Sequence, residues 1–198
     1  MCGNGVRCFA KYAFERDYVR LNFTVETLAG VVAVALSSKE EEFLATITMP
    51  TPKFDRKDIP ATGNGDYKET IEGFTVHAAN TGVPHAVIVV PDVDSIDVPK
   101  VSPKIRNHKT FTNGANVNFV QVTGKDAIKV RTFERGVEDE TLSCGTGATA
   151  SAAVAHKLGL VGETVEVETV GGPLTITLGN ETKMTGPAET VFTGTISF

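Results

Sequence analysis

The sequence predicts an α+β (α/β) protein in which mixed β-sheet wraps around buried helices. Most segments between turn signals alternate apolar and polar residues with a period of two, which is typical of strands. Two stretches have the composition of helices, and one of them is apolar on nearly every side. These two stretches, with the residues that follow each, align with one another, which indicates a duplicated unit.

The strand pattern is clearest in residues 23–25, 165–167 and 174–178. Residues 63–66 form a Gly-rich segment that predicts a loop. Long helices are not expected in the middle of the chain, because prolines recur there. These are Pro84, Pro91, Pro99 and Pro103.

The first predicted helix covers about residues 5–16 and places Phe9, Tyr12 and Ala13 on one face. The second covers residues 147–158 and is rich in alanine. A helix without a polar face is usually buried on all sides, and its small side chains let strands approach closely. We therefore expect sheet around a central helix.

A shift of 142 residues superimposes the first helical segment on the second without a gap, and the match continues into a strand–turn–strand segment. The identities include Cys2 with Cys144, Gly3 with Gly145, Gly5 with Gly147, Ala10 with Ala152, Glu26 with Glu168, Thr27 with Thr169, Gly30 with Gly172 and Leu36 with Leu178. Because both a cysteine and a turn glycine are kept, a duplicated unit is favoured over chance similarity.

The composition is that of an ordinary globular protein, with 41% apolar and 22% charged residues. The length fits one domain or two. The net charge of -5 comes from scattered charges of both signs, so no nucleic-acid partner is expected. The apolar runs are too short to span a bilayer, and no charged-then-apolar leader precedes them. We expect a soluble, cytoplasmic protein without a membrane partner.

Two of the three cysteines carry the chemical prediction. Cys2 and Cys144 each precede Gly-x-Gly and a helix, where unpaired N–H groups and the helix dipole favour a thiolate and bind carboxylates. If the two units face each other, both thiols point into one cleft, so one can remove an α-proton while the other supplies one to the opposite face. Cys8 aligns with Ala150 and is interpreted as structural. An odd number of cysteines in a chain of this length favours free thiols.

Four motifs give the chain a family resemblance. They are Met-Cys-Gly-Asn-Gly-Val-Arg-Cys at 1–8, Glu-Arg-Gly at 134–136, Glu-Thr-Leu-Ser-Cys-Gly-Thr-Gly at 140–147 and Gly-Pro-Ala at 186–188. In this order, and over the whole chain, they resemble diaminopimelate epimerase. The resemblance implies two pseudo-symmetric domains, each a sheet around a central helix, with the active site between them. It also implies interconversion of LL- and meso-diaminopimelate, towards lysine and peptidoglycan, without pyridoxal phosphate, metal or other cofactor.

The resemblance assigns roles to individual residues. It implies that Cys2 and Cys144 are the acid/base thiols and that His85 and Glu134 assist them. The substrate-binding positions that it implies are Gly3, Asn4, Asn116, Glu134, Arg135, Gly145 and Thr146. In physical terms, the N–H groups after each cysteine suit an α-carboxylate, and Arg135 suits a charged group.

Structural alternatives remain open for these polar residues. His85 fits a hydrogen-bonded structural histidine, Glu134 and Arg135 fit a surface ion pair, and Asn116 fits a turn residue. Where many family members carry a substrate-contacting asparagine before Pro-His, this chain has Val83. Asn80 is therefore predicted to supply the amide instead.

The resemblance also predicts the domain boundaries. Residues 1–48 form an incomplete first domain, which a final strand at 189–198 completes, and residues 49–188 form the second domain. The opening strands and helix of the family are missing before residue 1. Exposed strand edges in such a domain invite association, so a homodimer is a further expectation.

Three other functions are alternatives to this prediction. Proline or hydroxyproline racemases share the two-cysteine plan but typically carry His at the position of Asn4 and Asp-Arg-Ser-Pro before the second cysteine motif, where this chain has Glu-Thr-Leu-Ser at 140–143. A catalytically inactive fragment that keeps the fold is the second alternative. A thiol redox protein would require Cys-x-x-Cys, which the sequence lacks.

Overall fold

The computed structural model describes residues 2–39 and 42–196. The elements within these residues are α1 (Gly3–Glu15), β1 (Asn22–Thr27), β2 (Gly30–Lys39), β3 (Glu42–Thr48), β4 (Lys68–Ile71), β5 (Phe74–Asn80), β6 (Pro84–Val89), α2 (Val98–Arg106), β7 (Asn116–Gly124), β8 (Ala127–Glu134), β9 (Asp139–Thr141), α3 (Gly145–Lys157), β10 (Thr164–Thr169), β11 (Gly172–Thr177) and β12 (Lys183–Pro187). Among the helices so described, none is long and apolar enough to span a membrane.

The strands form one mixed sheet in the order β1-β2-β3-β12-β11-β10-β8-β7-β6-β5-β4, and β9 pairs with β8. Two neighbouring pairs, β6 with β7 and β8 with β10, run parallel, while the other pairs are antiparallel. The α+β fold class predicted from the strand and helix patterns is confirmed.

The duplicated unit is visible in the backbone. Helices α1 and α3 have 13 residues each and begin 142 positions apart. The hairpins that follow have equivalent registers. Asn22 lies opposite Ala35 in the first hairpin, and the residues 142 positions later, Thr164 and Thr177, lie opposite each other in the second. Both hairpin turns also carry the same hydrogen bond of 2.7 Å, from a threonine hydroxyl to the carbonyl of the turn glycine. The two units therefore share one local structure.

The two units join where their third strands pair, β3 with β12. Ile47 lies opposite Met184 across this junction. Ile47 also lies opposite Val34 within its own unit, and Met184 lies opposite Ile176, the residue 142 positions after Val34. Equivalent strands that pair antiparallel at equivalent positions place a local twofold axis at the junction.

Helix α3 is the buried helix that its composition predicts. Its residues from Gly147 to Ala155 are all buried, and strands of both parallel pairs pack around it. Helix α1 buries a narrower face, made of Gly3, Val6, Arg7, Ala10 and Ala13. The predicted face was wrong for Phe9 and Tyr12, which are 50% and 51% exposed, because the smaller side chains face β3 and α3.

Both repeat helices begin directly after their cysteines, two residues earlier than predicted. Helix α2 was not predicted, because Pro99 and Pro103 lie within it. Pro99 is tolerated because it lies in the first helical turn, where its missing N–H has no partner to lose, whereas Pro103 lies inside the helix. Asp97 caps the helix by accepting from the N–H of Lys100 at 3.3 Å.

The C-terminal segment differs from its prediction. No strand forms between residues 189 and 196, and residues 197 and 198 lie outside the described part of the chain. Instead, the strand that returns to the first unit is β12, which ends at Pro187. The main hydrophobic core is continuous across the junction and includes side chains from both 1–48 and 49–188.

Candidate active site

The first turns of α1 and α3 meet at the junction of the two units. A Cβ added to Gly3 would lie 2.5 Å from Cε of Met184, and one added to Gly145 would lie 3.0 Å from the same atom. The Cβ of position 145 would also be 3.9 Å from the Cα of Gly3. Glycine at the first position of each helix thus allows the two N-termini to approach one another across Met184.

The cysteine before each helix occupies the N-cap position with an extended backbone. The carbonyls of Cys2 and Cys144 accept the first helical hydrogen bonds, at 3.0 and 2.8 Å. The thiol of Cys2 also accepts from the N–H of Gly5, at 3.5 Å. The three cysteines, all within the described residues, are free thiols, and Cys8 is exposed rather than structural in the core.

Both N-cap thiols line one open cavity of about 310 Å³. Nine of the predicted site residues line it, namely Cys2, Gly3, Asn4, Asn116, Glu134, Arg135, Cys144, Gly145 and Thr146. Six further residues complete the lining, namely Ala29, Pro50, Thr81, Gly82, Val83 and Ser143. The fold thus brings together residues from both units and from the segment between them.

Cys144 lies in an enclosed part of this cavity and is 9% exposed. Burial raises the pKa of its thiol to about 11, and the carboxylate of Glu134 adds to the rise. The hydroxyl of Thr146 lies 3.4 Å from its sulfur and opposes the rise. At neutral pH the Cys144 thiol is therefore protonated.

His85 does not line the cavity, although a role beside the thiols was predicted for it. The ring is fully buried, and burial lowers its pKa to about 3, with a further contribution from the charge of Arg135. Its Nε2 lies 3.0 Å from the hydroxyl of Thr146. His85 is therefore neutral and reaches Cys144 through Thr146.

Asn80 also lies outside the cavity lining, in contrast to the substrate contact predicted for it. Its amide donates to the carbonyl of Asp58 at 2.6 Å, and its carbonyl oxygen accepts from the N–H of Gly82 at 2.8 Å. Both ends of the side chain are thus engaged in holding the loop at residues 81–83. Val83, at the position where the resemblance implies an asparagine, does line the cavity.

One wall of the cavity is polar, and hydrogen bonds to neighbouring groups hold its side chains in place. Glu134 accepts from the hydroxyl of Thr141 at 2.6 Å. The side chain of Asn116 accepts from the N–H of Arg135 at 2.8 Å, which fixes the start of the loop after β8. The guanidinium of Arg135 donates to the carbonyls of Asn113 and Gly114, so its position beside the cavity is fixed too.

The two units are hydrogen-bonded to each other beside the cavity. Asn4 donates to the carbonyl of Ser143 at 3.3 Å, and its own oxygen accepts from the buried guanidinium of Arg7 at 3.2 Å. On the other side, the hydroxyl of Thr81 donates to the carbonyl of Thr146 at 2.9 Å. These bonds fix both helix N-termini relative to the intervening loops.

Sequence reasoning did not identify three of these residues, Thr81, Ser143 and Asn118. Thr81 donates to the backbone carbonyl of Thr146, and Ser143 accepts from Asn4 through its own backbone carbonyl, and no sequence pattern reveals either contact. Asn118 carried a signal, because Asn116 and Asn118 are polar residues at a spacing of two at the start of β7, and so share one face of the strand. Across residues 2–39 and 42–196, no cluster of three or more His, Cys, Asp or Glu side chains could hold a metal ion.

Comparison with known proteins identifies the family. A family model described as diaminopimelate epimerase matches residues 77–191. The chain is 55% identical over 199 residues to the diaminopimelate epimerase of Methanothrix thermoacetophila, covering 100% of this chain and 70% of the relative. The chain belongs to the diaminopimelate epimerase family.

Another member of this family, the diaminopimelate epimerase of Methanocella arvoryzae, is 50% identical over 99% of the chain and 71% of its own length. Among solved structures, a probable proline racemase from Agrobacterium radiobacter aligns with a TM-score of 0.65 over 94% of this chain and 65% of its own. At 17% identity, this likeness concerns the fold alone. The chain is thus an amino-acid epimerase, an isomerase, by family.

Proposed function

We propose that this protein inverts the α-carbon of LL-2,6-diaminopimelate to give the meso form, with Cys2 and Cys144 as the two proton-transfer groups and no cofactor. One observation carries the proposal: two N-cap thiols, 142 residues apart in sequence, line the same cavity. Stereoinversion requires a base on one face of the α-carbon and an acid on the other, and thiols at the starts of two helices that meet at one cavity can supply both.

The helix N-termini support binding of the substrate's α-carboxylate. The first N–H groups of α1 and α3 have no partners within their helices, and the dipoles add positive potential at the same place. A carboxylate held there leaves the α-carbon between the thiols, and the same donors stabilise negative charge that develops when the α-proton leaves. The polar wall of Asn116, Glu134 and Arg135 then faces the distal amino-acid group.

The raised pKa of Cys144 assigns this thiol a role in the proton transfer. Because the Cys144 pKa is raised to about 11, this thiol is the acid that delivers a proton, and Cys2 is the base in that direction. Glu134 contributes to the pKa rise and so keeps Cys144 protonated. The reverse reaction exchanges the two roles.

Deuterium incorporation tests the proposal. Purified, reduced protein is incubated in deuterated buffer with LL-diaminopimelate and, in parallel, with L-proline, and early samples are analysed by mass spectrometry. With two separate bases, the meso product gains one deuterium from solvent, while the remaining LL substrate stays protiated. Deuterium in both isomers from the start would indicate a single base.

Cysteine variants test whether this deuterium exchange depends on the two thiols. Cys2→Ala and Cys144→Ala are each expected to abolish inversion, whereas Cys8→Ala, which changes an exposed thiol outside the cavity, is the matched control. Exchange in L-proline alone would favour the racemase alternative. Absence of exchange in either substrate, with a correctly folded chain, would leave the inactive alternative.

A further inference from the structure

We propose that Asn118 is a positioning residue that holds His85 in the Nε2–H tautomer and thereby directs the hydroxyl proton of Thr146 at the sulfur of Cys144. The inference rests on the proposed role of Cys144 in proton transfer. It concerns a buried chain of hydrogen bonds that runs beneath the cavity from β7 to the start of α3.

The orientation of the Asn118 amide is fixed by a group that can only accept. Its nitrogen lies 3.1 Å from the carbonyl oxygen of Ala86, and its oxygen lies 3.0 Å from the hydroxyl of Thr132. A carbonyl oxygen has no proton to give, so the atom facing Ala86 is the amide nitrogen. The second proton of that nitrogen points at Nδ1 of His85, 3.0 Å away.

This amide determines where the imidazole proton lies. His85 is neutral, since burial holds its pKa at about 3, so its ring carries one proton. Nδ1 accepts from Asn118, and the proton must therefore be on Nε2, which donates to the hydroxyl oxygen of Thr146 at 3.0 Å.

The tautomer then orients the threonine hydroxyl. Its oxygen already accepts from His85, so its own proton is available for the sulfur of Cys144, at 3.4 Å. A donor aimed at the sulfur stabilises the thiolate and opposes the two influences that disfavour it, burial and Glu134. With the opposite tautomer, the hydroxyl would donate to Nε2 and the thiolate would lose this donor.

Packing holds this chain of hydrogen bonds in place. A Cβ at Gly147 would collide with Oδ1 of Asn118, so the amide lies directly against the first turn of α3. Asn118 and His85 are fully buried, which excludes water as a competing partner for Nδ1. The nearby charged groups, Glu134 and Arg135, make no hydrogen bond to the imidazole among the contacts of the described residues.

Two measurements that need no substrate test the inference, so it can fail or stand independently of epimerase activity. The first is the ¹⁵N NMR spectrum of the histidines, in which protonated and unprotonated ring nitrogens have distinct shifts. The expected spectrum has a protonated Nε2 and an unprotonated Nδ1 for His85, unchanged between pH 5 and pH 8. Protonation at Nδ1 in the unchanged protein would overturn the inference.

The second measurement is the rate of alkylation of Cys144 by iodoacetamide as a function of pH, resolved by peptide mass spectrometry. Thr146→Val removes the donor, and the rate at pH 8 is expected to fall about tenfold because the profile moves up by about one pH unit. Thr146→Ser restores the hydroxyl and is expected to restore the profile. A change in access alone would scale the rate equally at every pH.

Asn118→Leu tests the positioning role itself. Without the amide donor, Nδ1 is no longer constrained, so the NMR spectrum should show a mixture of tautomers and the Cys144 profile should move in the same direction as in Thr146→Val, by less. Thr132→Val is the matched control, because it removes the other buried partner of Asn118 and leaves both amide donors in place. If the pH profile of Cys144 alkylation is unshifted in both Asn118→Leu and Thr146→Val, the positioning role of Asn118 is refuted.

Discussion

The two thiols stand at equivalent positions in the sequence repeat, yet their surroundings differ. Cys2 is exposed and accepts a hydrogen bond from the helix that it caps. Cys144 is enclosed beside Glu134 and connected through Thr146 to His85. Strands β6, β7 and β8, from the segment between the two units, pack against the helix that begins after the second thiol.

Glu134 is expected to act on Cys144 in the direction opposite to Thr146. Its charge helps to raise the thiol pKa, so Glu134→Gln should lower that pKa and increase the alkylation rate of Cys144 at pH 8 by roughly threefold to tenfold. Glu138→Gln, in the same loop but away from the cavity, is the control. A slower reaction in Glu134→Gln would contradict the assigned electrostatics.

The buried neutral His85 predicts a sensitivity to acid. Its pKa is about 3 in the folded protein against 6.5 when unperturbed, so the unfolded chain binds a proton first as the pH falls. The contribution of His85 to stability is complete above pH 6.5 and is lost towards pH 3, by about 3 kcal/mol between pH 6.5 and pH 4.

Urea unfolding at pH 7 and pH 4 measures this loss. His85→Gln should be less stable at pH 7 and should lose less stability on acidification than the unchanged protein. The exposed His156, substituted in the same way, serves as the control and should leave the slope unchanged. An identical pH dependence in His85→Gln would show that another group is responsible.

At the scale of elements, the first turns of α1 and α3 offer a matched pair of glycines. A Cβ at Gly5 would meet only ordinary contacts with Cys2, at 3.7 Å, whereas one at Gly147 would collide with Asn118. Gly5→Ala should therefore be neutral or raise the free energy of unfolding by up to about 1 kcal/mol, because alanine is the better helix former. Gly147→Ala should lower it by about 1–3 kcal/mol.

Thermal and urea unfolding of the two variants provide the comparison. The same substitution at equivalent positions of the repeat is expected to have opposite signs, so helix propensity is controlled within the experiment. Equal destabilisation of both variants would mean that the two first turns are packed alike, against the structure.

The elements that could be predicted from the sequence are those whose pattern lies within a short stretch of the chain. The repeat and the N-cap cysteines could be predicted because each depends on a few neighbouring residues. Helix α3 could be predicted because its residues are apolar on all sides. The buried face of α1 was not, since it is chosen by the approach of β3 and α3 rather than by side-chain size. The site residues were found where a motif carries them, while Asn118 required the pairing of β6 with β7, which brings it beside His85.

At the scale of the whole molecule, the convergence of the two units predicts a specific cross-link. A short reagent with two thiol-reactive groups should join Cys2 to Cys144 within one chain, since both line one cavity, whereas the exposed Cys8 should react with one end of the reagent only. Proteolysis followed by mass spectrometry identifies the joined peptides. Cross-links between Cys8 and either other cysteine at equal yield would contradict the shared cavity.

Oxidation gives a related prediction. If the thiols are the two proton-transfer groups, a verified bridge between Cys2 and Cys144 should abolish inversion, and reduction should restore it. Full activity in the bridged protein would refute the two-thiol mechanism.

The pairing of β3 with β12 has a consequence for the origin of the chain. Equivalent strands that meet antiparallel, with Ile47 opposite Met184, form an isologous contact, the kind that joins identical subunits. Two separate copies of one such unit would be able to pair through the same edge strand, so the junction has the form that duplication and fusion of a self-pairing unit would leave inside one chain.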